Sequence, residues 1–430
     1  KREGSTGMIV ASLIFIILLL LQVPISFVLG ITTIIYILLS GNTGLLATAP
    51  QRLYSGLENY GLLAIPLFMM AGELMNSGGI TKRLIDFSKT LVGHFRGGLA
   101  YVNVISNMLL ASIIGSATAQ IAMMSKVMVP SMEKEGYSRE FSASTTAAAG
   151  LLGPIIPPSM LFIIYGVASG ASIGDMFLAG IMPGILLGIA FALLIAYVGF
   201  KQQWPRQQRA PFIAVAKSFL KVIPALLVPI IIIAGILSGA FTPTESAAVA
   251  CVVALIVWMM YKELKREHIP SIMINTAVST ATITMLIAMA NLFGWMLSFE
   301  QIPQSIATWM TSLTGNPWVF LFIVNIFLLI VGMFMDGIAA LIILVPVFTP
   351  LLASYGIDPI HFGMIICINL TIGLLTPPVG AGLYIASVLG NVKLERLTKA
   401  ILPFLAVSIA TLLVITYWPQ MILWIPNALK

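Results

Sequence analysis

The sequence predicts an all-α membrane protein that crosses the bilayer several times and contains two inverted repeats. Of its 430 residues 59% are hydrophobic and only 9% are charged, and the mean hydropathy is +1.04. A soluble domain of this size carries many more charges. Apolar runs such as 8–21, 225–240 and 318–335 are continuous rather than alternating, so the predicted spans are helices.

A motif that occurs twice indicates the duplication. The segment 153–158 (GPIIPP) recurs 220 positions later as 373–378 (GLLTPP). Gly and Pro interrupt a helix, and a bilayer tolerates the break where the freed carbonyls face protein, ion or water. The same spacing relates Pro130 to Pro350, Gly136 to Gly356, Gly170 to Gly390, and Pro183 to Pro403. Paired breaks of this kind are typical of secondary transporters with a site at the midplane.

The basic residues predict the orientation. Of 22 Lys and Arg, 18 fall into five clusters, which the positive-inside rule places in the cytoplasm. The clusters are Lys82, Arg83, Lys89 and Arg96; Lys126, Lys134 and Arg139; Lys201, Arg206, Arg209, Lys217 and Lys221; Lys262, Lys265 and Arg266; and Lys393, Arg396 and Lys399. Loops 41–60, 300–316 and 354–360 contain only Arg52 and are expected outside. Short basic loops do not make a nucleic-acid surface, despite the net charge of +7.

This orientation predicts two re-entrant helical hairpins. The first, 97–131, has both ends in the cytoplasm and bends near 115–118. The second, 317–353, has both ends outside and bends near Asp336-Gly337. The broken helices that follow, 141–170 and 361–390, must then run in opposite directions. Residues 97–199 and 317–425 thus form two related transport halves, with Ser116 and Asp336 at corresponding hairpin tips.

The remaining segments are expected to form a scaffold, at 8–80 and within 200–300. Spans are predicted at 8–22, 24–40, 61–78, 177–199, 222–240, 244–261, 271–298 and 401–425. The polar stretch 201–221 is interpreted as a cytoplasmic connector between the halves, with an interfacial helix as one form of it. Segment 242–245 (TPTE) predicts a helix cap. The polar segment 1–7 is interpreted as a tail or as the join to an upstream part of a longer fused chain.

Asp336 is the strongest candidate for chemistry, because it is the only carboxylate well inside 318–346. A charge in a membrane helix is costly, so we expect a partner such as Na⁺. Hard cations prefer oxygen ligands, here the Asp336 carboxylate, the hydroxyls of Ser116, Thr118 and Thr376, and the freed carbonyls. Asp336 as an N-cap of the second hairpin arm is a compatible alternative.

Two further expectations concern the same tips. The hydroxyls of Ser112, Ser116 and Thr118 have the alternative of bonding back to helix carbonyls. Helix N-termini at the tips suit an anionic substrate, so the site is expected to take a carboxylate together with Na⁺. The sequence contains no phosphate loop, nucleophile motif or His/Cys metal spacing, so we expect neither an enzyme nor an ATP-driven pump.

Seven segments resemble the large membrane subunit of TRAP transporters, the tripartite ATP-independent periplasmic transporters. They are 63–68 (LAIPLF), 71–75 (AGELM), 93–99 (GHFRGGL), 156–159 (IPPS), 241–245 (FTPTE), 356–363 (GIDPIHFG) and 373–380 (GLLTPPVG). The resemblance covers nearly the whole chain from about residue 8. The sequence departs from it at Ile114, where Ser is frequent, and at Thr371, where Glu is frequent.

The resemblance implies a Na⁺-coupled importer of an organic acid in a bacterial inner membrane. The implied mechanism is an elevator, in which hairpins and broken helices slide against the scaffold. The implied partners are a small four-helix membrane subunit, separate or fused, and a periplasmic substrate-binding protein. Sialic acid is the first substrate expected and a C4-dicarboxylate the second.

The resemblance also implies where the ligands bind. The implied Na⁺ sites are Ser112, Ser116 and Gly153 in one half, and Asp336, Gly373 and Thr376 in the other. Contacts to the substrate are expected at Thr118, Pro157, Gly337 and Pro377. Two other functions stay open: a Na⁺/carboxylate cotransporter that needs no binding protein, and a channel-like or structural membrane protein.

Overall fold

The computed structural model describes residues 2–77, 79–202, 204, 208–261 and 267–429, and their side chains except those of 2–6 and 77. Arg206, Lys262, Lys265 and Arg266 of the predicted clusters lie outside the described residues. The described chain forms α-helices and short 3₁₀ turns without a strand, which confirms the all-α prediction. The helices are α1 (Arg2–Leu20), α2 (Ile25–Leu39), α3 (Ala49–Ser55), α4 (Ala64–Ser77), α5 (Ile80–Val92), α6 (Gly98–Ile114), α7 (Ala117–Lys134), α8 (Arg139–Gly150), α9 (Met160–Ser169), α10 (Ile173–Gln202), α11 (Phe212–Leu237), α12 (Pro243–Met260), α13 (His268–Phe299), α14 (Ile302–Leu313), α15 (Pro317–Phe334), α16 (Gly337–Tyr355), α17 (Pro359–Gly373), α18 (Ala381–Gly390), α19 (Leu394–Tyr417) and α20 (Pro419–Ala428).

Seven helices in the described ranges are long and apolar enough to cross a membrane. They are α10, α11, α12, α13, α15, α16 and α19. Large apolar side chains on their outer surfaces are exposed, among them Leu193, Ile230 and Ile274. Extended apolar surface of this kind is what a lipid-facing helix presents, so the chain is a polytopic membrane protein.

The first hairpin consists of α6 and α7, which fold back on each other. α6 is capped by Gly115 with φ of 63°, and α7 starts after Ser116. Gln120 Nε2 on α7 donates to the backbone oxygen of Asn107 on α6 at 2.7 Å. Further from the tip, Asn103 Nδ2 approaches the Met132 sulfur at 3.5 Å, although the two residues are 29 positions apart. The arms are therefore antiparallel neighbours.

The second hairpin consists of α15 and α16 and closes in the same way. α15 is capped at Met335, and α16 starts after Asp336. At the far end of the arms, the rings of Phe320 and Tyr355 stack with centroids 4.2 Å apart. The Tyr355 hydroxyl donates to the Thr314 carbonyl at 3.0 Å, which ties the end of the second arm to the start of the first.

Cap residues keep the predicted spacing of 220 positions through both hairpins. Ser116 pairs with Asp336 and Ser138 with Asp358 as N-caps, and glycines with positive φ follow the second arms at Gly136 and Gly356. The spacing slips at the end of the broken helices. There α9 is capped by Gly170 with φ of 75°, whereas α18 is capped by Asn391 with φ of 50°. The predicted equivalence of Gly170 and Gly390 is therefore wrong by one residue.

The two halves interlock instead of packing as separate bodies. The second arm of each hairpin lies against the second segment of the other half's broken helix, α7 against α18 and α16 against α9. Arg139 Nε donates to the Gly390 carbonyl at 2.7 Å, and the Tyr165 hydroxyl donates to the Pro359 carbonyl at 2.5 Å. Both bonds join one half to the other, so the described halves form one packed unit.

The structure corrects four boundaries of the sequence prediction. Residues 80–92, expected as part of a basic cytoplasmic loop, form the amphipathic helix α5. The connector is shorter than 201–221, since α10 ends at Gln202 and α11 begins at Phe212. The predicted span 401–425 is interrupted at Trp418, ahead of the Pro that starts α20. Loop 300–316, expected outside, contains α14.

The N-terminal segment and the start of α12 are both helical. α1 begins at Arg2, so it includes most of the polar segment 1–7. At the start of α12 the backbone N–H of Thr242 donates to Glu245 Oε2 at 2.7 Å, and the Glu245 N–H donates to Thr242 Oγ1 at 3.3 Å. This reciprocal pair is the predicted capping motif.

Candidate functional site

A cavity of about 330 Å³ lies between the two hairpin tips and the scaffold helices. The tips contribute side chains from both halves, and α4, α11 and α13 form the opposite wall. The polar lining residues are Glu73, Asn76, Ser112, Ser116, Thr118, Ser159, Asn275, Ser279 and Asp336. Since the halves meet here with the scaffold, the cavity is the candidate site.

The hairpin tips are both N-caps that face this cavity. Asp336 Oδ2 accepts from the backbone N–H of Ile338 at 3.0 Å. Ser116 Oγ accepts from the Ala119 N–H at 3.5 Å and lies 3.2 Å from Thr118 Oγ1. The capping alternative for Asp336 is thus present in the structure. It does not use up the carboxylate, which borders the cavity and keeps free lone pairs at a helix N-terminus.

The first helix break, residues 151–159 between α8 and α9, is stabilised by hydrogen bonds within the break and to the end of α8. The Gly153 N–H donates to the Gly150 carbonyl at 3.1 Å, and Ser159 Oγ donates to the Pro154 carbonyl at 2.5 Å. Pro158 and Ser159 line the cavity, whereas Gly153 and Pro157 are buried behind the wall. Ser112 lines the cavity as well, and its hydroxyl donates back to the Leu109 carbonyl at 2.9 Å.

The second break makes a close backbone crossing. A side-chain carbon on Gly373 would lie 2.5 Å from the backbone of Gly332 on α15, so only glycine fits. Thr376 Oγ1 donates to the Ile372 carbonyl at 3.0 Å. Gly373, Thr376 and Pro377 do not border the cavity. The residue of this break that lines it is Leu374. Their roles stay predictions, while Ser112, Ser116, Thr118, Asp336 and Gly337 are brought together around the cavity.

The charges around the cavity are one-sided. Glu73 and Asp336 are acidic, and none of the described lining residues is Lys, Arg or His. The oxygen-rich tips suit a hard monovalent cation such as Na⁺, which binds carboxylate, hydroxyl and carbonyl oxygens. The residues present therefore fit the implied ion, which would be held by the Asp336 carboxylate on one tip and by hydroxyl oxygens on the other.

A buried amide chain stands directly behind the first tip. Asn103 Nδ2 donates to Thr146 Oγ1 at 2.7 Å, and Asn107 Nδ2 donates to Asn103 Oδ1 at 2.8 Å. Gln120 Nε2 completes the chain with bonds to the Asn107 backbone oxygen at 2.7 Å and to Asn107 Oδ1 at 2.8 Å. All three amides are fully buried. The sequence shows these three amides within an apolar stretch, which could have indicated a buried polar network, but they belong to no recognisable motif.

The second half carries a shorter chain of the same kind. Asn325 Nδ2 donates to Thr416 Oγ1 at 3.0 Å, and Asn369 Nδ2 donates to Asn325 Oδ1 at 2.6 Å. In each half one amide oxygen, Gln120 Oε1 or Asn369 Oδ1, is buried without a hydrogen-bond partner among the described residues. A buried oxygen left in this way costs about 1–3 kcal/mol, which indicates that something else satisfies it.

The paired breaks, the two hairpins with opposite predicted entry and the shared cavity define an inverted-repeat transport protein. Comparison with known proteins identifies the family. The sequence model of the tripartite ATP-independent periplasmic transporter DctM component matches residues 12–421. The chain belongs to this family, the large membrane components of TRAP transporters, and its homologues are permeases, not enzymes.

Two relatives and one solved structure illustrate the match. A C4-dicarboxylate TRAP transporter large permease protein of Pseudomonas aeruginosa is 41% identical over 377 residues, 87% of this chain and 88% of the relative. A sialic acid TRAP transporter large permease protein of Vibrio cholerae is 38% identical over 411 residues, 95% and 96% of the two chains. The crystal structure of the Alcanivorax borkumensis YdaH transporter superposes with a TM-score of 0.62 at 15% identity, covering 97% of this chain and 98% of that chain. This last likeness concerns the fold alone.

Proposed function

We propose that this chain is the membrane-translocating subunit of a Na⁺-coupled importer of organic acids. The observation that carries the proposal is the charge around the cavity. Two carboxylates and no basic side chain border it among the described residues, so a carboxylate substrate would meet only negative groups. Cotransported Na⁺ at the tips would offset that repulsion, and the tip helix N-termini add partial positive charge.

An elevator movement accounts for the packing. α7 against α18 and α16 against α9 bind the two halves into one unit, and two hydrogen bonds cross between them. A unit of this kind is suited to move as a rigid body that carries the tips past α4, α11 and α13. In this mechanism Ser116 and Asp336 travel with the substrate, whereas Glu73 and Asn275 stay with the scaffold.

The proposed partners follow from the family and from the relatives' names. The family is described as tripartite, and both relatives are called large permease proteins. We therefore propose two partners for this chain: a small four-helix membrane subunit, separate or fused, and a periplasmic substrate-binding protein. The proposed location is a bacterial inner membrane, consistent with the exposed apolar helices.

For the substrate we keep sialic acid first and a C4-dicarboxylate second. A relative named for each of them exists, at 38% and 41% identity. The cavity offers hydroxyl and amide groups from Ser116, Thr118, Asn76, Asn275 and Ser279, which suit a substrate that carries hydroxyls beside its carboxylate.

Thermal unfolding of the purified membrane complex tests the substrate and the ion together. Candidate acids are added with NaCl or with choline chloride at equal ionic strength, because a ligand of the folded state raises its stability by mass action. We expect one acid to raise the melting temperature only with Na⁺. An equal shift in choline would contradict Na⁺ coupling.

Uptake into proteoliposomes separates the remaining functions. A TRAP transporter needs the periplasmic binding protein, whereas a standalone Na⁺/carboxylate cotransporter takes up substrate without it. A channel conducts when Na⁺ is replaced by choline. We expect uptake only when both Na⁺ and the binding protein are supplied.

A further inference from the structure

The amide oxygen of Gln120 faces the first helix break. A side-chain carbon placed on Gly153 would lie 2.7 Å from Gln120 Oε1, 3.2 Å from the Gly150 carbonyl oxygen and 3.2 Å from the Ser116 carbonyl carbon. The space beside Gly153 is therefore bordered by an amide oxygen, a backbone oxygen and the hairpin tip. Because position 153 has no side chain, the Gln120 oxygen can approach the backbone of the break this closely.

The orientation of this amide is fixed by its neighbour. Both hydrogens of Gln120 Nε2 are used, one on the Asn107 backbone oxygen at 2.7 Å and one on Asn107 Oδ1 at 2.8 Å. The flipped amide would place Oε1 against two acceptor oxygens, which is repulsive. Oε1 must then point away from Asn107, and no described group donates to it although Gln120 is fully buried.

We propose that Gln120 is a ligand of the Na⁺ site in the first half, with Oε1 as a side-chain oxygen beside the Gly153 break. The inference rests on the proposed Na⁺ coupling. An uncharged amide oxygen is a good ligand for a hard cation, and the Asn103–Asn107 chain holds it in place without adding charge. The first half thus offers a neutral oxygen set, and the second half offers the Asp336 carboxylate.

Gln120→Met tests the role, since it keeps the length of the side chain and removes the oxygen, together with the two Nε2 hydrogen bonds to Asn107. The measurement is the Na⁺ concentration at the midpoint of the thermal-stability increase of the purified protein, at constant ionic strength with choline. We expect this midpoint to rise at least about tenfold, which corresponds to about 1.4 kcal/mol. If the methionine variant does not fold, Gln120→Asn withdraws the oxygen by one methylene and should raise the midpoint by about threefold or more.

Ser125→Ala is the matched control. Ser125 is on the same helix, is fully buried and has an unpartnered hydroxyl, but it is not a lining residue of the cavity. Ser125 is also more than one helical turn from Gln120 and is not among the groups nearest the Gly153 break. Its removal should therefore leave the Na⁺ midpoint within about twofold of wild type. Gly153→Ala fills the same space from the other side, so its effect and that of Gln120→Met should be non-additive in the double variant.

The outcomes separate this inference from the proposed function. If wild type shows no Na⁺-dependent stabilisation, Na⁺ coupling itself is wrong. If wild type responds and Gln120→Met keeps the wild-type midpoint, Gln120 is not a ligand and the coupling stands. A changed melting temperature in choline with an unchanged Na⁺ midpoint would mean that the oxygen holds only a buried water, and would also overturn the assignment.

Discussion

Replacing Asp336 by Asn separates its two roles, helix cap and charge. Asn is as good an N-cap as Asp, so the bond from the Ile338 N–H, 3.0 Å in the wild type, is retained. The stability of Asp336→Asn should stay within about 0.5 kcal/mol of wild type. Asp336→Ala also removes the cap and should cost about 0.5–2 kcal/mol. A comparison of the two variants therefore isolates the contribution of the charge.

The charge should dominate Na⁺ binding at the second tip. Two opposite unit charges 4 Å apart attract by about 4 kcal/mol at an effective dielectric constant of about 20, and desolvation offsets part of this. A net loss of about 1.4–3 kcal/mol raises the Na⁺ midpoint by roughly 10–100-fold. Glu73→Gln is the control, because Glu73 borders the same cavity from the scaffold helix α4. We expect it to change the midpoint by less than about threefold.

Two assays are needed, because stability and transport report different steps. Thermal unfolding against Na⁺ gives the midpoint without substrate, and uptake into proteoliposomes gives the coupled process. We expect Asp336→Asn to fold like wild type, to need far more Na⁺ and to lose Na⁺-driven uptake. A wild-type Na⁺ midpoint in Asp336→Asn would remove Asp336 from the ion site and leave it as a cap.

Three further variants test packing. Gly373→Ala brings a methyl group to 2.5 Å from the Gly332 backbone, so we expect a loss of about 1–3 kcal/mol in thermal unfolding; an unchanged melting temperature would mean that the crossing is not tight. Trp204→Ala removes a nearly buried ring from the connector and should cost about 3–5 kcal/mol by the same measurement. Tyr165→Phe removes the 2.5 Å bond to the Pro359 carbonyl between the halves and should cost about 0.5–1.5 kcal/mol with the Na⁺ midpoint unchanged.

Helix breaks and helix caps could be predicted from the sequence, because they require particular residue types. Gly136 and Gly356 have positive φ after matching arms, which no other residue adopts as easily, so their spacing was informative. Ser116 and Asp336 were paired by the same spacing of 220 positions, and both are N-caps in the structure. α5 was missed because its three basic residues suggested a loop, whereas its apolar face packs against α6 and α11.

The buried amides were beyond prediction for a different reason. Asn103 and Asn107 are four positions apart and lie on one helix face, as the sequence indicates. The third amide, Gln120, hydrogen-bonds to Asn107 only because the chain turns back at the hairpin tip. A contact across a hairpin leaves no period in the sequence. The close contact between Gly332 and Gly373 was missed for the same reason. The two glycines are 41 positions apart in the sequence, and they meet because α15 packs against α17.

The duplication preserved the geometry of the site and changed its charge. Residue 116 and residue 336 occupy the same N-cap position at their hairpin tips, yet one is a hydroxyl and the other a carboxylate. The first half contains a chain of three buried amides, and the second half contains a pair. If both tips carried a carboxylate, three acidic side chains, including Glu73, would line the same cavity. A neutral set in one half and a charged set in the other gives the cavity two oxygen-rich tips while limiting the repulsion of an anionic substrate.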